Sequence, residues 1–151
     1  MMNIFNYFKR IGIDTVDAAF YRKIAEWISW YRGSVRGFSF YRVYTGRGKY
    51  NRCKRKSMGM AKKLSEDIAD LLLNERVTIT LSDETTHNFV QQVLEDNRFL
   101  VMGNDYQERK AFTGTVAYIP YLDDMEVTED GEILSGTIQI NYVDAPNIYP
   151  V

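Results

Sequence analysis

Between Arg22 and Lys63 the chain carries 13 basic residues against one acid, Glu26; from Leu64 onward it carries 17 acids against Arg76, Arg98, Arg109 and Lys110. This division narrows the possible folds more than any other feature. Either the basic part folds against the acidic part, or each is left to meet opposite charge elsewhere, between copies or on an anionic partner. The formal net charge of −1 conceals the split. Its densest portion runs from Arg47 to Lys56, where Arg47, Lys49, Arg52, Lys54, Arg55 and Lys56 stand without a carboxylate. Such a run repels itself and needs solvent, a polyanion or an acidic protein surface beside it. With Arg42, these residues are the candidate contact set. Tyr41, Tyr44 and Tyr50 interleave with them, the mixture that nucleic-acid surfaces use for phosphates and stacking. No helix here resembles a groove reader, so contact with nucleic acid would be indifferent to sequence.

The 151 residues suit a single domain with a real core, and 45% hydrophobic with 26% charged residues is a folded composition. Cys53 is the only cysteine, which rules out an internal disulfide framework and points to a reducing compartment. Lys9 and Arg10 interrupt the N-terminal segment before any leader-like apolar run develops. The longest aliphatic run, Leu71–Leu73, is far too short to span a bilayer. A soluble, intracellular protein without a membrane partner is expected.

Periodicity predicts an α+β fold, with amphipathic helices packed on a small, mostly antiparallel sheet. Ile4, Phe5, Phe8 and Ile11 share one helical face, so residues 1–13 either pack on the body, the preferred reading, or form an arm for a neighbour. Asp17 can cap a helix to Tyr31, whose inward stripe is Phe20, Ile24, Trp27, Ile28 and Tyr31; Gly33 stops it, and Trp30 faces a partner. A strand follows at Phe38–Tyr44, then the basic segment as a loop punctuated by Gly46 and Gly48. Ser57 is expected to cap a helix that buries Met60, Ala61, Leu64, Ile68, Leu71 and Leu72, with Lys62, Lys63, Glu66, Asp67 and Asp70 turned outward. Val77, Ile79 and Leu81 alternate with Thr78 and Thr80 as a half-buried strand. Ser82 or Asp83 opens a helix with Phe89, Val90, Val93 and Leu94 inward, and a further helix lies around 105–111. A strand from Val116 is expected to end at Pro120. Asp130-Gly131 turns a closing hairpin in which Ile138, Ile140 and Tyr142 face one way, with Gly136 at a bulge.

The chain offers little to catalysis. One Cys and one His cannot make a zinc cluster, and His87 falls on the polar side of its helix. If Gly131 were the turn glycine of a calcium loop, Thr137 would occupy the position that needs a bidentate Glu. Asp123, Asp124, Glu129, Asp130 and Glu132 are better read as a solvated loop or a counter-surface for cations. Gly46-Arg47-Gly48-Lys49 lacks the spacing and the Ser/Thr of a P-loop, and Asn51 stands where a dinucleotide fingerprint needs Gly. No cofactor and no catalytic residue is expected. A pair of carboxylates in a pocket is the only enzymatic arrangement left open.

Trp30-Tyr31-Arg32-Gly33, then CKRKSMGMAKKLSEDIADLLLNE from Cys53 to Glu75, then AFTGTVAYIPY from Ala111 to Tyr121, occur in the order found in tailed-phage portal proteins. The chain resembles the portals of Gram-positive phages, often labelled minor capsid protein. The resemblance implies a non-enzymatic virion protein, a ring of normally twelve subunits at one capsid vertex through which double-stranded DNA is packaged and ejected. It implies contacts with the major capsid protein, the packaging motor and head-completion proteins, and assembly in the host cytoplasm. Portals run to several hundred residues, so residues 1–151 are expected to form an N-terminal, wing-like portion. The resemblance assigns no functional residue to a position in this chain.

Overall fold

The computed structural model describes residues 4–74, 76–131 and 133–150. Its elements follow the local signals closely in places. A first helix, α1 (Ile4–Arg10), lays Phe5 against Tyr21 and Phe8 against Tyr149, with ring centroids 5.1 and 5.2 Å apart. α2 (Ala18–Tyr31) starts where Asp17 Oδ1 accepts the Ala19 N–H, and it ends as Gly33 takes a left-handed conformation. Ile24 of this helix is the largest fully buried side chain among the described residues. Trp30 leaves the stripe and packs on Phe38 at 5.1 Å.

The basic segment is not a loop. Phe40–Tyr44 (β1) and Tyr50–Lys54 (β2) form an antiparallel hairpin, so only residues 45–49 turn. α3 (Met60–Leu72) begins later than expected, after Gly59 in a left-handed conformation with no side-chain cap; Ser57 Oγ instead accepts the Gly59 N–H. Its buried face is also rotated from expectation. Ser65, Ala69 and the following Leu73 point inward, while Met60, Leu64, Leu71 and Leu72 are all at least 59% exposed. The cause lies on another helix. α5 (Phe99–Thr113) presents Gly103 to α3, where an added Cβ would sit 2.5 Å from Leu73 Cδ2. Two helices approaching this closely need small residues at the contact, so α3 turns Ser65 and Ala69 inward and leaves its larger apolar side chains outside.

Val77–Leu81 joins no ladder. Its alternation is that of a strand, but the segment is held by side chains instead: Gln91 donates to the Ile79 carbonyl and His87 Nδ1 accepts from Leu81 N–H. Asp83 caps α4 (Glu84–Asp96) through Thr86, and Phe89 is 56% exposed rather than inward. Asn97 then clamps the end of α4 to the last strand. Its amide donates to the Val93 and Ile138 carbonyls, and its oxygen accepts the Ile140 N–H, at 2.7–2.8 Å.

β3 (Val116–Val127) and β4 (Ile133–Asp144) make a second antiparallel hairpin, completing an α+β fold with two separate two-stranded ribbons. β3 runs through Pro120 instead of stopping there. Pro120 faces Ile140, whose N–H points away to Asn97, so this is a non-hydrogen-bonded pair and the missing proline N–H costs the ladder nothing. The bulge falls at Asp124 and Met125, opposite Gly136, with Asp124 in the left-handed region at φ 50°. The expected counter-surface residue Glu132 lies outside the described residues.

Candidate functional site: two hairpins of opposite charge

The β1–β2 hairpin gathers three of the seven candidate residues, Arg42, Arg52 and Lys54, on one face. The register sets Phe40 opposite Lys54, Arg42 opposite Arg52 and Tyr44 opposite Tyr50, and alternation puts all six on the same side. Arg52 lies over the Phe40 ring at 3.9 Å from its centroid, and Tyr44 packs on Tyr50 at 5.2 Å. Arg47 and Lys49 sit in the turn, where Gly46, Arg47 and Gly48 are all left-handed; Thr45 N–H donates to the Lys49 carbonyl and closes it. Arg55 extends the pairing by donating its N–H to the Ser39 carbonyl, and its guanidinium lies 5.6 Å from the Tyr41 ring.

Arg42 and Arg52 are a like-charged pair directly across the strands, an arrangement that costs stability unless an anion lies between or above them. No carboxylate comes within 4.0 Å of any of the seven candidate residues, Arg42, Arg47, Lys49, Arg52, Lys54, Arg55 and Lys56, among the described residues. At the hairpin's base a shallow groove of about 620 Å³ runs between Lys54–Lys56 and the end of α2, and it adds Arg32 and Lys62. Sequence reasoning missed those two. No local sequence signal marks them; in the fold a Cβ added at Gly33 would lie 3.3 Å from Ser57 Oγ, so the α2 terminus passes close to the basic strand's exit.

The far half of the β3–β4 hairpin is the opposite in charge. Asp123, Asp124, Glu126, Glu129 and Asp130 are exposed, and among the described residues none meets a cation within 4.0 Å. Between them Leu122, Met125, Val127, Ile133 and Leu134 are each at least 45% exposed. The ion pairs among the described residues lie elsewhere: Lys62–Glu66 and Lys63–Asp67 along α3, and Arg109 bridging Asp105 and Asp144.

In that Arg109 cluster Asp105 and Asp144, together with Glu108, line a cleft of about 280 Å³. Each has its donor: Arg109 bonds Asp105 and Asp144, and the Tyr31 hydroxyl donates to Glu108 at 2.5 Å. Burial and that bond push the Tyr31 phenol up to about 12. His87 is not among these residues; it lines a separate, mainly apolar cleft of about 640 Å³ beside Val77–Thr80. Among the described residues no three His, Cys, Asp or Glu side chains converge so as to hold a metal ion.

The structure is thus an α+β body that carries two exposed hairpins of opposite charge. Residues 13–151 match the family model described as phage portal protein, SPP1 Gp6-like, and the chain belongs to that family. Comparison with curated proteins and with solved structures gave no match. Membership gives the chain a structural portal role and implies oligomeric assembly within a phage capsid. No helix among the described residues is long and apolar enough to cross a membrane.

Proposed function

We propose that this chain forms the wing-like part of a portal ring, normally of twelve subunits, set at one capsid vertex through which DNA is packaged and ejected. The ring holds the major capsid protein, the packaging motor and head-completion proteins around it, is built in the host cytoplasm, and does no chemistry itself.

One observation carries the reading. The chain exposes 12,042 Å², whereas a compact monomer of its mass is expected to expose roughly 7,900 Å². The excess of about 4,000 Å² is on the scale of the surface that obligate assemblies bury. Much of it is apolar: the outer stripe of α3, the ends of both hairpins, and Trp27 and Trp30. Antibodies raised against the chain and imaged on intact virions test the proposal. Label confined to one vertex per particle supports it, and label spread over the capsid or absent from virions defeats it.

A second reading is favoured by the cation–aromatic face of β1–β2: a module that grips nucleic acid without regard to sequence through Arg42 to Lys56. It requires duplex or single-strand affinity that falls steeply with salt and disappears when Arg52, Lys54, Arg55 and Lys56 are replaced together. Salt-insensitive or absent binding removes it.

A further inference from the structure

We infer that the basic β1–β2 hairpin of one copy seats against the acidic far half of the β3–β4 hairpin of the next copy, head to tail. The inference rests on the portal-ring reading and names the contact that would build such a ring.

Both surfaces lack partners within their own chain. Arg42, Arg52 and Lys54 share one face without a carboxylate, and Asp123, Asp124, Glu126, Glu129 and Asp130 lie on the other hairpin without a cation, among the described residues. Both also expose apolar side chains beside the charge: Tyr44 and Tyr50 on one, Leu122, Met125 and Val127 on the other. That second feature favours a protein occupant over nucleic acid. Phosphates would satisfy the arginines, but they would leave the aliphatic side chains of the acidic hairpin wet.

The dimensions agree. β1 and β2 pair over five residues each, a ribbon roughly 17 Å long. The part of β3–β4 beyond Tyr121 carries four paired positions, Leu122, Asp123, Glu126 and Val127, interrupted by the bulge at Asp124 and Met125. A bulge bends and twists its ribbon, which re-aims this part relative to the stretch that α4 holds through Asn97. Because the two surfaces differ, a copy that has used its basic hairpin still offers its acidic one. Such a heterologous contact repeats until it closes into a ring.

The test couples amines to carboxylates at zero length with a carbodiimide, in a mixture of unlabelled and 15N-labelled chain. Mixed-isotope peptides joining Lys49 or Lys54 to Asp123, Glu126 or Glu129 are expected, with products extending beyond dimers. Reversing one side with Arg42→Glu and Arg52→Glu, or the other with Asp123→Lys and Glu126→Lys, should each lower the yield by at least about tenfold, because like charges across an interface cost several kcal/mol. An equimolar mixture of the two reversed chains should link in both senses, unaltered hairpin to unaltered and altered to altered, so its mixed products also extend beyond dimers. One chain carrying all four reversals should recover the extended products, which separates lost contact from lost folding. Links unaffected by either reversal, no recovery in the fourfold variant, or products that stop at dimers would overturn the inference. Self-association that survives both reversals would discard this contact and leave the ring reading standing. A wild-type chain that never self-associates would count against the ring reading as well.

Discussion

Gly103→Ala isolates the contact that decides how α3 is oriented. In the middle of a helix, alanine for glycine is worth about 1 kcal/mol in propensity. Here the new Cβ would fall 2.5 Å from Leu73 Cδ2 and 3.8 Å from the Phe99 ring. Leu73 is 9% exposed and has little room to retreat. Overpacking a filled core costs about 1–3 kcal/mol, so the net result should be a loss of about 1 kcal/mol. For a chain of this size that corresponds to a fall in Tm of roughly 2–4 °C. Leu73→Val removes the clashing methyl at a cost of about 1 kcal/mol. In that background Gly103→Ala should become stabilising by about 1 kcal/mol, a coupling of about 2 kcal/mol across the cycle. Urea unfolding of the four proteins measures all of these terms. If Gly103→Ala stabilises the wild-type chain, the close approach of α3 to α5 is not what rotates α3, and the account of its exposed stripe fails.

Other perturbations probe other joints. Asn97→Asp replaces two donated hydrogen bonds by a carboxylate facing the Val93 and Ile138 carbonyls, and should cost about 2–3 kcal/mol in urea unfolding; an unchanged midpoint would deny the clamp between α4 and β4. The Thr86 hydroxyl and then its N–H hold the Asp83 carboxyl below its ordinary value of 3.8. The stability this lends is fully present above 3.8 and is lost as pH falls through the depressed folded value, so Asp83→Asn should converge with wild type in acid and lie below it at neutral pH. Tyr31 titrates near 12, held there first by burial and then by its bond to Glu108. Its contribution is complete below pH 10 and disappears as pH rises through 12, so Tyr31→Phe should flatten the alkaline loss of stability over that interval; an identical profile would contradict it.

What could be read in the residues was whatever depends on near neighbours. The Asp17 and Asp83 caps, the Gly33 stop, the Asp130-Gly131 turn and the shared face of Ile138, Ile140 and Tyr142 are all settled within a few positions of themselves. The rotation of α3 was not legible, because its helical pattern favours Leu64 and Leu71 inward and only the distant Gly103 opens space for Ser65 and Ala69. Val77–Leu81 alternates like a strand and lacks only a neighbour to pair with, a fact no local window contains. Pro120 looked like a strand end because its pairing class depends on where Asn97 draws the Ile140 N–H. At the candidate site the charge and its aromatic neighbours were evident, and the family resemblance with them. The register that sets Arg42 against Arg52, and the fold that brings Arg32 and Lys62 to the same groove, required the hairpin and the α2 terminus in three dimensions.

The central claim is that these surfaces exist to be covered by other copies of the chain. Sedimentation velocity across a wide range of protein concentration, at low and then high salt, tests it most directly. The account expects weight-average mass to climb well past a dimer as concentration rises at low salt, and to drop back as salt screens the hairpins. A single 17.6 kDa species at every concentration and salt would contradict it.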